Sequence, residues 1–185
     1  MRLSLTRSRY GADVAEELVV LLDDGGEPIG TAPKSTVHDA DTPLHLAFSC
    51  HVFDPMGRVL VTRRALTKIA WPGVWTNAVC GHPGPGEPIA EAIARRASQE
   101  LGIGLESLEV VLPDFRYRAV DAAGVVENEV CPVYRAVTRD EVRPALEEVA
   151  EWLWADPHAL HQAVAAAPFA FSPWLVLQLD AWDRD

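Results

Sequence analysis

The stretch "GHPGPGEPIAEAIARRASQELGI", residues 81 to 103, decides how the rest of the chain is read. It opens on a turn crowded with glycine and proline. Ile89, Ala90, Ile93, Ala94, Ala97 and Leu101 then recur at helical spacing, and Gly102 stands where a helix stops. The pattern predicts an amphipathic helix of about four turns. Immediately upstream, Cys80 and His82 flank Gly81, so a thiol and an imidazole sit where strand-like sequence feeds into that helix.

Outward from this point the chain alternates strand and turn signals. "ELVVLLDD" (17 to 24), bounded by "DGGEP", reads as a first strand. "LAFSCHVFDPMGRVLVTRRA" (46 to 65) is two β-rich runs joined by "DPMG" and reads as a hairpin. "SLEVVLPDFRYRAV" and "VVENEVCPVYRAV", separated by "DAAG", read as a second hairpin or meander, and "EEVAEWLWA" (147 to 155) as a last strand. Asp156 before Pro157 and Ser172 before Pro173 each mark a helix start, a side-chain cap followed by a proline at the first helical position. The expected fold is α+β, a mixed β-sheet flanked by helices, in one compact domain spanning 1 to 185 with an N-terminal extension over about residues 1 to 17.

Composition narrows the function classes. A chain of 185 residues with 49% hydrophobic content can bury one substantial core. No run approaches the ~18 consecutive apolar residues of a membrane helix, and the N-terminus lacks the apolar core of a signal peptide. A cytoplasmic protein without membrane contact is expected. A formal net charge of -11 argues against nucleic-acid binding, which needs a basic face. Cys50, Cys80 and Cys131 form no paired spacing and read as reduced thiols. Lys34 and Lys68 are the only lysines among 16 basic residues, so each draws notice as a compact ammonium.

His38 and His45 lie in the polar segment "TVHDADTPLHLAF" and His82 in the turn. Singly, each reads as an ordinary hydrogen-bonded histidine. Glu127 and Glu129, two apart in a strand-like run, project from one face and repel unless a cation sits between them. Three imidazoles and two carboxylates supply five ligands for a divalent ion such as manganese, magnesium, iron or zinc.

The spacing Gly81, Glu87, Arg95, Ala97, Glu100, Gly102, Ile103 resembles the Nudix box, whose carboxylates hold magnesium at a diphosphate. Arg96 and Gln99 stand where the usual box has carboxylates, which weakens the case for hydrolysis. With "NAVCGHP", "ENEVCPV", "YRA" at 117 to 119 and "FSPWLV", the chain resembles the type I isopentenyl-diphosphate delta-isomerases from about Leu18 to Leu179.

That resemblance implies a metal-dependent isomerisation of isopentenyl diphosphate to dimethylallyl diphosphate through a tertiary carbocation. It further implies His38, His45, His82, Glu127 and Glu129 as ligands of a Mn2+ or Mg2+ ion, and Glu100 with the Cys80 carbonyl as ligands of a second Mg2+ bridging to the diphosphate. Lys34, Arg64, Lys68 and Arg96 would surround the diphosphate. Cys80 and Glu129 would transfer the protons, with Tyr117 hydrogen-bonded on the glutamate side and Trp174 facing the reacting carbons. The residues do not fix which of the two gives the proton in this reversible reaction; Glu129 as acid and Cys80 as base is the favoured order for the forward direction. A small-molecule diphosphate is the only partner expected, and the protein is expected to be a monomer. The alternative reading is a Nudix hydrolase of a nucleoside or isoprenoid diphosphate.

Overall fold

The computed structural model describes residues 17–182; the expected N-terminal extension lies outside them, Glu17 apart. Twelve strands run in order as β1 (Leu18–Leu22), β2 (Pro28–Pro33), β3 (His45–Leu46), β4 (Phe48–Phe53), β5 (Val59–Arg64), β6 (Trp75–Asn77), β7 (Val79–Gly81), β8 (Ser107–Leu112), β9 (Arg116–Val120), β10 (Val126–Val130), β11 (Val133–Val137) and β12 (Val149–Ala155). Helix α1 (Ile89–Leu101) follows β7, and α2 (Pro157–Ala166) and α3 (Pro173–Trp182) follow β12. No described helix is long and apolar enough to cross a membrane.

The strands form two mixed sheets rather than one. The first has the order β2-β1-β3-β10-β9, and the second β12-β5-β4-β11-β8, with β6 added on β5 and β7 on β4. Two segments cross between them. β3 continues through Ala47 into β4, and β10 continues through Cys131 and Pro132 into β11. Each pairs in parallel with the other, β3 with β10 and then β4 with β11. The backbone ladder bridges the crossing by Ala47 N donating to Val130 O and Ser49 N donating to Pro132 O. Pro132, which has no N–H to give, marks the change of sheet.

The hairpin expected across "DAAG" is present, but the two runs that flank it each divide into two strands that go to different sheets. β9 and β10 form the hairpin in the first sheet, while β8 pairs with β11 in the second. Local pattern identifies strands but not which sheet takes them, since that choice rests on long-range pairing.

Helix α1 buries Ile93, Ala97 and Leu101 against Phe48, Cys50, Leu60 and Val79. Gly81 permits this approach: a Cβ there would lie 3.1 Å from Arg96 Cγ and 3.2 Å from Phe48 Cζ. Gly102 ends the helix at φ 65°, its N–H donating to Ser98 O, the left-handed conformation that suits glycine. Helices α2 and α3 cover β5 through Leu160, Val164, Leu175 and Leu179. Their starts use the expected caps, Asp156 accepting from Ala159 N at 2.9 Å and Ser172 Oγ from Leu175 N at 3.4 Å.

Candidate active site

A cavity of about 640 Å3 opens among β4, β5, β7, α1, β9, β10 and α3. One wall is an imidazole and carboxylate cluster. The parallel register sets Glu129 directly beside His45, His82 follows β7, and His38 follows β2. One donor atom each from His38, His45, His82 and Glu129 lie within 4.8 Å of one another. Glu127 stands outside that group, facing His38 Nε2 across 3.2 Å.

The donor chemistry suits a divalent cation. His45 Nδ1 lies 2.9 Å from the Pro43 carbonyl; a carbonyl only accepts, so Nδ1 carries a proton and Nε2 is the ring atom turned to the cluster, where burial lowers the imidazole but Glu129 and the Pro43 carbonyl raise it above its usual value. His45 Nε2 and His82 Nε2 are 3.2 Å apart, and His82 Nε2 is 3.1 Å from Glu129 Oε1. Among the described residues, the buried His82 Nδ1 has no hydrogen-bond partner, and His38 Nε2 and Glu127 Oε2 face each other without an aligned hydrogen bond, an unusual cost in a folded interior. This His/Glu group can hold a metal ion.

Burial moves the protons here. It pulls His82 down to about 4 against the pull of Glu129. Burial also pushes on Glu129, but His45 and His82 outweigh it and hold the carboxyl well below the usual range. Glu127 is raised by burial and by the Glu129 charge.

Cys80 pairs with Ser49 across β7 and β4. Its Sγ donates to Asn77 Oδ1 at 3.2 Å and lies 3.5 Å from Ser49 Oγ. Burial pushes the thiol up to about 11 despite these contacts and the Arg64 charge. Tyr117 is the cross-strand partner of Glu129, and burial with the Glu129 charge keeps its phenol protonated. The two are ladder neighbours; a hydrogen bond between them is not among those of the described residues.

Trp174, at the start of α3, is 3% exposed. Its indole N–H is shared between Thr76 Oγ1 at 2.9 Å and Asn77 Oδ1 at 3.1 Å. With the polar edge tied down, the ring stands edge-on to Trp71 and tilted on Tyr117. The Arg64 guanidinium lies 5.3 Å from the Trp174 ring centroid, so this indole already attracts a cation.

Lys34, Arg64, Lys68 and Arg96 line the same cavity, and each is engaged. Lys34 pairs with Glu17 at 2.5 Å and Lys68 with Glu148. Arg96 donates through Nε to Glu100 at 2.7 Å and reaches Glu148 at 3.3 Å. Arg64 donates to the carbonyls of Ala70 at 2.8 Å and Trp71 at 3.2 Å. Glu100 is 8% exposed on the buried face of α1; burial raises its carboxyl more than Arg96 and Lys68 lower it. It lines the cavity apart from the histidine group.

Sequence reading passed over Glu148, Asn77, Ser49 and Gln178. Glu148 bridges two of the four cations. Its signal was a pair of carboxylates opening a strand otherwise rich in apolar residues. Asn77 lay inside the "NAVCGHP" run without being singled out.

Residues 43–175 match the NUDIX domain. A Clavibacter michiganensis protein named Isopentenyl-diphosphate Delta-isomerase is 70% identical over 163 residues, 88% of this chain and 84% of that one. Its namesake from Leifsonia xyli is 66% identical over 167 residues, covering 89% and 90%. Among solved structures, DR0079 from Deinococcus radiodurans superposes with a TM-score of 0.70 at 18% identity, covering 89% of this chain and 98% of that one. A MutT protein from Methanosarcina mazei gives 0.62 at 17% identity, covering 77% and 94%. The last two establish the fold alone.

Proposed function

The chain belongs to the NUDIX-domain isopentenyl-diphosphate Delta-isomerases, and on that premise we propose that it moves the double bond of isopentenyl diphosphate using Cys80 and Glu129 as its two proton-transfer groups. The observation that carries this reading is one cavity lined by the Cys80 thiol, the Glu129 carboxylate, four basic side chains and an indole face.

The alkene of the substrate is unactivated, so protonation at its terminal carbon produces a tertiary carbocation. The site must then supply a proton, accept another two carbons away, exclude water and stabilise the cation without capturing it. Burial favours the proton on the Cys80 sulfur, whereas His45 and His82 outweigh burial and favour the ionised form of Glu129. We therefore assign Cys80 as acid and Glu129 as base in the forward direction, the reverse of the order favoured from sequence. Tyr117, neutral beside Glu129, keeps that side dry. Lys34, Lys68, Arg64 and Arg96 orient the diphosphate, with Arg96 a bidentate donor once released from its carboxylates.

A magnesium or manganese ion held by His38, His45, His82, Glu127 and Glu129, with a second magnesium at Glu100 and the Cys80 carbonyl, would supply the positive charge that holds these carboxylates ionised and screens the diphosphate. The cavity is complete within one chain, so a monomer suffices. Because the scheme uses a free Cys80 thiol, we assign the enzyme to a reducing compartment, the cytoplasm.

Incubation with isopentenyl diphosphate in deuterated water tests the reading. Dimethylallyl diphosphate carrying deuterium is expected; released phosphate would instead identify a hydrolase and overturn it.

Trp174 tests the cation. An aromatic face over a desolvated cation contributes about 0.5–2 kcal/mol, so Trp174→Leu is expected to lower kcat roughly 2-fold to 30-fold. Trp174→Phe keeps a ring face and should retain much of the rate. Both variants lose the indole N–H to Thr76 and Asn77, so the rates are compared on folded, metal-replete protein beside melting temperatures. Equal kcat in Trp174→Leu and wild type would reduce Trp174 to a packing residue.

A further inference from the structure

Ser49, His51 and Gln178 are each no more than 1% exposed, and the scheme above uses none of them. Their hydrogen bonds form one chain that reaches two thiols, Cys80 in the cavity and the buried Cys131. His51 Nε2 lies 3.0 Å from Gln178 Oε1; an amide oxygen only accepts, so His51 is the donor and fixes which way the amide faces. Gln178 Nε2 in turn donates to Ser49 Oγ at 2.8 Å. That contact occupies a lone pair of the hydroxyl and leaves its O–H free to donate. Ser49 Oγ lies 3.5 Å from Cys80 Sγ and 3.5 Å from Cys131 Sγ.

Asn77 acts on the same sulfur in the opposite sense. Its Nδ2 donates to the carbonyls of Val79 at 3.0 Å and Cys50 at 3.3 Å. Its Oδ1 is thereby aimed at Cys80, from which it accepts the S–H. An acceptor-only oxygen favours the sulfur that holds its proton, whereas a hydroxyl aligned to donate favours the sulfur that has released it.

We infer that Ser49, oriented by Gln178 and His51, is a positioning residue that donates its hydroxyl proton as a hydrogen bond to the Cys80 sulfur during proton transfer to the alkene. The inference rests on the isomerase reading above. In the step, the S–H bond breaks and its electron pair stays on sulfur while a C–H bond forms at the terminal alkene carbon. Glu129 then takes a proton from the carbon two positions away, whose C–H pair becomes the new double bond. The net change is one proton moved from sulfur to carboxylate, and exchange with solvent after product release restores the thiol.

The test measures kcat and KM for isopentenyl diphosphate on folded, metal-replete variants. Loss of a hydrogen bond to a charged group predicts that Ser49→Ala lowers kcat by about 10-fold to 100-fold with little change in KM. Ser49→Thr keeps the hydroxyl and is expected to stay within about 3-fold of wild type. Gln178→Met removes only the orienting donor and should lower kcat less than Ser49→Ala, while the double variant should equal Ser49→Ala alone, because one acts through the other. If Ser49→Ala does not fold, Gln178→Met against Ser49→Thr carries the test. Wild-type kcat in Ser49→Ala, or in Gln178→Met where that is the surviving variant, overturns the inference, as does a full additive loss in the double variant. Wild-type protein that fails to isomerise sinks the isomerase reading itself, whereas active wild type with an unaffected Ser49→Ala sinks this inference alone.

Discussion

Cys80→Ala is expected to lower kcat by about 10²-fold to 10⁴-fold, the range set by loss of a positioned general acid. The fold should survive, because the change removes one sulfur from a side chain that packs beside Trp174 and Tyr117 without filling the main core. Cys80→Ser separates proton transfer from shape: it keeps a hydrogen to donate to Asn77 Oδ1, but an alcohol is a much weaker acid than a thiol, so it should also be severely impaired. The measurement is deuterium entry into product over long incubation, alongside a melting curve. A Cys80→Ala protein with near-wild-type turnover would remove the thiol from the mechanism and leave the cavity without a proton source for the alkene.

Glu129→Gln is the second large effect, and it acts at two levels. The variant keeps volume but loses the charge toward which His45 and His82 converge. As the proposed base, its loss should lower kcat by about 10²-fold to 10⁴-fold. As a proposed ligand, its loss should also lower bound divalent metal per chain in elemental analysis. The buried imidazoles would then face an amide in place of a carboxylate. Full activity with full metal content in Glu129→Gln would discard both roles. Chelator treatment of the wild type gives the complementary arm: activity should vanish and return on adding Mg2+ or Mn2+, and a chelator-insensitive rate would argue against metal dependence.

The short-range features were legible from the sequence because their causes are short-range. Helix α1 was readable from Ile89 to its glycine stop since apolar spacing and the left-handed demand at Gly102 are local properties. The starts at Asp156 and Ser172 were readable for the same reason, a side-chain acceptor facing open backbone N–H groups. The period-2 spacing of Glu127 and Glu129 places both on one face of a strand, and the residue types of the cluster are legible in the sequence without any contact.

Tertiary structure decided what depended on distant pairing. Nothing local distinguishes a strand that continues in its sheet from one that leaves it, yet the crossing at Ala47 and at Cys131–Pro132 sets Glu129 beside His45, and the separate pairing of β4 with β7 sets Ser49 opposite Cys80. The parallel partnership of these two segments joins residues far apart along the chain, and its closure is favoured only when the whole core forms. The same holds for Glu148, whose carboxylate reads as strand-edge charge until Lys68 and Arg96 meet on it. It holds equally for the His51, Gln178 and Ser49 chain, whose members are ordinary strand and helix residues in sequence. They become one hydrogen-bonded unit because α3 packs on the sheet and each buried polar atom must find a partner there.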